Sequence, residues 1–476
     1  MRRLILVLSF SAAAAGCAVG PDYLRPPVDT PPGWRVEYPE AAGVADTLWW
    51  EQFNDPALNS LIETALKENR DLRIAAARVD QFLGQRQTTR SQFFPQIGAA
   101  AEGSRSRATE RGVSPFPAGV PNPSDFYQAQ AFASWEIDLF GRIRRQDEAA
   151  LAQVLSAEEA RRGVILSLVT ALASGYINLR ALDKQLEIAR ATAENYRESL
   201  RIFKLRYDAG TISLMELAQI QSQYQQALSA IPLAERRIAE QENLISVLLG
   251  RNPGPIGRGR SMDELARPVI PAGLPSSLLE RRPDVRQAEQ DLVAANAQIG
   301  AAKALYFPVI SLTGALGSAS ADLSDLFSGP ASVWSLAAAA SAPIFTFGNI
   351  EGQVRAAEAA QVQALESYLQ SVQSAFRETN DALIGTQKSA EQAAAELERV
   401  KALREYARVA RMRFDGGVSS YVDVLVAEND LFTAELGYVQ THADSLAQIV
   451  NVYKAMGGGW VEQADRMTQA ADTGSR

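Results

Sequence analysis

Side chains suited to nucleophilic or metal chemistry are scarce in this 476-residue chain, which has one cysteine, Cys17, and one histidine, His442. A zinc centre needs several Cys or His ligands, so neither a metal nor another cofactor is expected. A Ser-His-Asp triad would have to recruit His442, which lies in a helical pattern near Glu435 and Asp444 and reads as a solvated surface residue. Gly314-Ala-Leu-Gly317 lacks the third glycine of a dinucleotide cradle. No catalytic residue emerges, and the chain reads as a non-enzyme. Cys17 has a different chemistry open to it. Arg2 and Arg3, the apolar stretch Leu4 to Phe10 and the small residues Ser11 to Gly16 form a secretory signal. That signal ends in Ala14-Ala15-Gly16-Cys17, which looks like a bacterial lipobox. Residues 1–16 are then removed and the Cys17 thiol carries lipid. Ala18 in place of an aspartate favours delivery to the outer membrane. An ordinary signal peptide with an incidental cysteine is the alternative.

Composition narrows the partners. The net charge of −8 disfavours nucleic acid, whose phosphates need a basic stripe. No run approaches the 18 or so apolar residues of a membrane-spanning helix.

The chain is a duplication. Arg206-Tyr-Asp-Ala-Gly210-Thr-Ile-Ser213-Leu-Met-Glu216 returns 207 positions later as Arg413-Phe-Asp-Gly-Gly417-Val-Ser-Ser420-Tyr-Val-Asp423. The same offset relates Phe140-Gly141 to Phe347-Gly348 and Leu249-Gly250 to Met456-Gly457. An offset of 213 relates Arg70-Asp71-Leu72 to Pro283-Asp284-Val285, and Phe94-Pro95 to Phe307-Pro308. Solenoid repeats are far shorter, so one large architecture is built twice.

Proline-rich residues 17–48 predict an extended arm. From Trp49 to Phe93 the apolar spacing is helical, and Pro95 ends it. Strand alternation follows in 127–137 and again in 334–344, with weaker partners near 94–106 and 307–318, so each copy holds one β-hairpin. No proline interrupts Gly141 to Gly210 or Gly348 to Gly417; sixty-odd helical residues at ~1.5 Å each span roughly 100 Å. Each long helix reverses at the repeated turn, where Gly210 and Gly417 supply a left-handed residue. Ser213 and Ser420 are placed to cap the returning helices, with Glu216 and Asp423 at capping-box spacing. The divisions are a first repeat at 49–250, a linker at 251–283, a second repeat at 284–460, and a polar, disordered tail at 461–476.

The strand segments match the 9–11 residues of a transmembrane β-strand. Aromatics (Tyr127, Trp135, Trp334, Phe345) sit near the ends of the apolar faces. Sheet edges cannot stand open in hydrocarbon, and four strands cannot close a barrel. Two chains would supply eight strands and three would supply twelve, the latter wide enough to begin holding water. A small soluble sheet is the bland alternative.

At this point the chain resembles a family, the TolC-like outer membrane factors of the lipoprotein branch (OprM- or NodT-like). The resemblance rests on Cys17-Ala-Val-Gly-Pro-Asp-Tyr23, on Trp49-Trp50 with Phe53-Asn54-Asp55-Pro56, and on Leu274-Pro275-Ser276 with Arg281-Arg282-Pro283-Asp284. The two Arg-x3-Gly-x2-Ser-x2-acidic turns and Tyr453-Lys-Ala-Met-Gly-Gly-Gly-Trp460 complete it. It implies an α+β, mainly helical fold: a homotrimer whose twelve-stranded transmembrane β-barrel, four strands per chain, continues into a long periplasmic α-helical barrel. It implies an efflux channel set in outer membrane lipids, working with a periplasmic adaptor and an inner-membrane RND-type pump to export drugs or other small toxic compounds. Arg206, Gly210, Ser213, Glu216, Arg413, Gly417, Ser420 and Asp423 would form the adaptor-docking tips. Val422 and Val426 would line the periplasmic gate, although relatives often carry an acidic residue where Val426 stands. A type I secretion conduit and a non-conducting structural stalk are the alternatives.

Overall fold

The computed structural model describes residues 18–36, 47–111, 119, 121–270 and 277–473, with side chains as far as 468. Cys17 and most of the 112–124 link lie outside the described residues. The chain divides into two compact units: Met1–Pro27, Arg78–Ala157 and Ala288–Tyr368 in one, and Val28–Ala77, Glu158–Gln287 and Leu369–Arg476 in the other.

The 49–93 helical pattern resolves into three pieces. A 3-10 turn, Trp49–Phe53, ends at Asn54, whose φ of 56° reverses the chain. Helix α1, Pro56–Glu68, then starts on Asp55, whose carboxylate accepts from Ala57 N and Leu58 N. Asn69 breaks α1 from α2, Arg70–Ser91. Its side chain accepts from Leu72 N at 3.0 Å and donates to Leu248 O at 2.9 Å, so the break is a capped junction.

Strands β1 (Gln96–Ser106) and β2 (Ser124–Ile137) lead into α3, Arg142–Asp208, a single 67-residue helix. Helix α4, Leu214–Leu248, returns from it and accommodates Pro232 without breaking. After the linker, α5 (Pro283–Lys303), β3 (Val309–Ser320), β4 (Ser332–Ser341), α6 (Asn349–Asp415, again 67 residues) and α7 (Tyr421–Met456) repeat the order. One 18-residue window of α3 is apolar enough to cross a membrane, but 61% of it is buried inside the protein, as in a core helix.

The four strands form one antiparallel sheet in the order β1-β2-β3-β4, leaving β1 and β4 as its edges. Its register carries the duplication. Gln96 lies opposite Ser134 in the first hairpin. The residues 213 and 207 positions onward, Val309 and Ser341, lie opposite each other in the second. One face presents Tyr127, Ala129, Ala131, Trp135, Leu312, Leu316, Trp334 and Leu336, and the other Gln96, Glu102, Gln128, Gln130, Glu136 and Thr313. The apolar face is not covered: Trp334 is 72% and Leu336 81% exposed.

The second unit holds the main core. Trp49 is fully buried, stacked on Tyr453 at 5.0 Å and meeting Trp50, Phe53 and Trp460 edge-on. Here the tail expectation is corrected. Trp460–Thr473 is a helix, α8, packed on α1. Trp460, Val461 and Ala464 are buried, and Asp465 pairs with Arg161 at 2.7 Å. Its apolar stripe is only four residues wide, Met467 included, too narrow to show against a polar composition.

Candidate functional site

The two helix-reversal turns are built alike. Gly210 N donates to Tyr207 O at 2.8 Å and Thr211 N to Arg206 O at 2.9 Å. In copy two, Gly417 N donates to Phe414 O and Val418 N to Arg413 O, both at 2.9 Å. This pair of bonds is the Schellman closure, which needs a left-handed residue. The glycines have φ of 73° and 72°, and an added Cβ would meet nothing within 4 Å at either. Backbone conformation, not space, therefore selects glycine.

The caps differ between the copies. Ser213 Oγ accepts from Glu216 N, and the Glu216 carboxylate accepts from Ser213 N at 2.7 Å, a full capping box. Those bonds from Ser213 hold the Glu216 carboxyl below the ordinary range. Ser420 Oγ instead accepts from Val422 N, and no reciprocal box forms. Asp423 is one methylene shorter than glutamate, so the capping box expected in both copies exists only in the first.

An aromatic seam joins the two turns. Tyr421 packs on Phe203 at 4.1 Å and on Phe414 at 4.9 Å. The Arg206 guanidinium lies 5.9 Å from the Phe203 ring and 5.6 Å from the Phe414 ring, so an arginine of copy one clamps an aromatic of copy two. Arg413, Gly417, Ser420 and Asp423 are exposed, as are the apolar Leu214, Met215 and Val418. On α7, Val424, Leu425 and Ala427 turn into the core. Val422 is half-buried and Val426 is 45% exposed, one helical turn apart. The structure thus brings all ten expected turn and α7 residues together, on paired reversals.

Sequence reasoning missed the groove beside these turns. It encloses about 740 Å³ between α3, α6 and α7, and Tyr196, Arg404, Arg411, Glu428, Glu435 and Tyr438 are among its walls. Burial raises the Glu428 carboxyl above its ordinary value, while Arg411, 3.6 Å away, pulls it back. The folded state therefore holds this proton more tightly than the unfolded chain. The contribution of this one carboxyl to stability is greatest in mild acid and declines as pH rises from the ordinary carboxylate range through the raised value. Glu428→Gln is expected to flatten that decline and slow hydrogen exchange of α7 at neutral pH; faster exchange in the variant would reverse the assignment. His442 is also corrected. It is half-buried, its ring stacked on Tyr438 at 5.7 Å, and burial lowers its pKa.

Among the described residues, no group of three or more His, Cys, Asp and Glu side chains is placed to hold a metal. The family model described as outer membrane efflux protein matches residues 61–251 and 274–458, one stretch in each copy. The chain belongs to the outer membrane efflux protein family. This efflux protein is similar to the probable efflux pump outer membrane protein TtgC of Pseudomonas putida, at 34% identity over 99% of both chains. It is also similar to the solvent efflux pump outer membrane protein SrpC of Pseudomonas putida, at 37% identity over 94% of this chain and 96% of that one. Among solved structures, the outer-membrane channel OprN superposes with a TM-score of 0.85 at 31% identity, covering 94% of this chain and 100% of that one. The efflux protein is an outer membrane channel subunit with the α+β, mainly helical fold of these channels.

Proposed function

We propose that three copies of this efflux protein share one twelve-stranded barrel, and that their long helices form a periplasmic conduit. Through it, a periplasmic adaptor and an inner-membrane RND-type pump discharge organic solvents, antibiotics or similar small toxic compounds. The observation that carries this reading is the four-stranded sheet with an uncovered apolar face and two unpaired edges. Such a sheet is tolerated in a bilayer only when other chains close it. Residues 49–250 and 284–460 act as the two repeats joined by 251–283.

The Cys17 lipid belongs to the same assembly. Two residues after it, Val19 N donates to Phe140 O at 3.1 Å, where β2 passes into α3. Arg145, 5% exposed, donates to Val19 O, Gly20 O and Asp22. Gly20 packs so tightly on Gly300 that an added Cβ would fall 2.3 Å from its Cα. These contacts fasten the described start of the chain, Val19 to Asp22, beside the strand-to-helix junction, which supports a lipid anchor at Cys17 that shares the membrane with the barrel.

The turns serve as docking tips: Arg206, Gly210, Ser213 and Glu216 in copy one, Arg413, Gly417, Ser420 and Asp423 in copy two. Val422 and Val426 act as the gate. Purified protein in planar bilayers should conduct, and deletion should sensitise cells to solvents and antibiotics. Silence in both assays would favour the structural stalk, and loss of a secreted protein without sensitivity would favour type I secretion. Gly417→Ala should cost only about 1 kcal/mol of left-handed strain while export falls by a larger factor. Equal losses of export and of trimer would reduce the turn to structure alone.

A further inference from the structure

The unit carrying the sheet contains one copy-to-copy junction, between β2 and β3. In it Ser134 is opposite Thr313, Ala133 opposite Gly314, Ala131 opposite Leu316 and Ile137 opposite Ile310. The junction extends past the ladder: the Phe140 and Phe307 rings stack at 4.7 Å. Both partners belong to the duplication, since β2 maps onto β4 by the 207 offset and β3 maps back onto β1 by the 213 offset. The two hairpins obey those offsets residue for residue.

We infer that β4 of one subunit pairs with β1 of the next in the register obtained by carrying the β2–β3 junction through these offsets. Ser341 then faces Ala100 of the partner subunit, Ala340 faces Ala101 of the partner subunit, and Ile344 faces Ile97 of the partner subunit. Phe347 stacks on Phe94 of the partner subunit, as Phe140 stacks on Phe307. This rests on the shared-barrel reading and adds the alignment of its seams.

Four observations support the register. The residues it joins are those the single chain leaves bare: Ile97 is 79%, Ile344 99%, Phe94 64% and Phe347 88% exposed. Phe347 holds a left-handed backbone (φ 50°) and rests edge-on against Phe345 at 4.3 Å. A bulky side chain held in that conformation and turned outward is unusual without a partner surface. β4 ends at Ser341, whereas β2, which has β3 beside it, continues to Ile137, the counterpart of Ile344. Finally, the register keeps the faces matched, with Leu336, Ala338 and Ala340 continuing into the side of β1 that carries Gly103, Ala101 and Ile97. A one-residue slip would set that apolar row against Gln96 and Glu102.

Cysteine pairs in the full-length, lipid-bearing chain in outer membrane vesicles test this, because opposed Cα atoms lie within disulfide reach. Ser341→Cys with Ala100→Cys should give covalent trimers on oxidation, seen on a non-reducing gel. Ser341→Cys with Glu102→Cys is displaced by two residues, roughly 7 Å along the strand, and should leave monomers. Trimers on a native gel that cross-link only through the displaced pair would overturn the register and leave the shared barrel standing. Monomers on the native gel would sink the shared barrel itself. Phe347→Ala and Phe94→Ala should each lower the temperature at which the trimer dissociates, and the double variant should lose no more than either alone. Additive losses would count against the stack.

Discussion

Trp49→Ala will destabilise the efflux protein by roughly 3–5 kcal/mol and release α8. The ring is fully buried, stacked on Tyr453 and bordered by Trp50, Phe53 and Trp460. These residues come from the start of the first repeat and the end of the second, so one truncation opens a cavity where the two ends of the core meet. Tyr453 also donates through its hydroxyl to Val269 O at 2.6 Å, tying the linker to the same cluster. Thermal unfolding in detergent should show a lower midpoint, and limited proteolysis should remove residues beyond Met456 before any other cut. Trp49→Phe keeps most of the stack, and the indole Nε1 it deletes is buried without a partner, so it should cost much less. An unchanged midpoint for Trp49→Ala would mean that this cluster does not limit stability.

On the proposed gate, Val422→Asp combined with Val426→Asp is expected to open the periplasmic mouth. Their neighbours Val424, Leu425 and Ala427 anchor α7 in the core, leaving Val422 and Val426 half-buried and exposed in the single chain. Valine layers repeated around a trimer make a constriction that excludes water by dewetting. Carboxylates in the same places hydrate it and repel one another. Because neither side chain is in the core, the trimer should persist while bilayer conductance rises several-fold and cells admit antibiotics that the closed channel excludes. Val426→Ala should give a smaller increase. Conductance identical to the parent's in the double variant would remove these valines from the gate.

Much of the fold was legible because it is periodic. Strand alternation placed 127–137, and β2 covers it; two proline-free intervals placed the long helices, which run from Arg142 to Asp208 and from Asn349 to Asp415. The turn glycines were legible for a local reason, since a tight helix reversal demands a left-handed residue whatever surrounds it. The capping box of copy two was not, because the spacing is right but the aspartate is too short. α8 was missed because four apolar residues in a polar segment reveal a helix only once α1 supplies the surface they cover. The half-buried His442 was misread although its stacking partner Tyr438 lies only one helical turn away, because its burial depends on the chains packed around that helix.

The sequence alone determined the duplication, the two long helices and the two faces of the strands, because each follows from neighbours close along the chain. Tertiary structure decided what those elements hold. Asp55 caps α1 and also accepts from the Tyr176 hydroxyl and Arg260 N. Arg282 joins Glu378 and Ala455 O. Arg206 lies across an aromatic of the other copy. In each case the partner is tens to hundreds of positions away, and no local spacing encodes it. The Asp55 and Arg282 pairings arise where burial strips water from a charged group and the packed chain must supply a replacement.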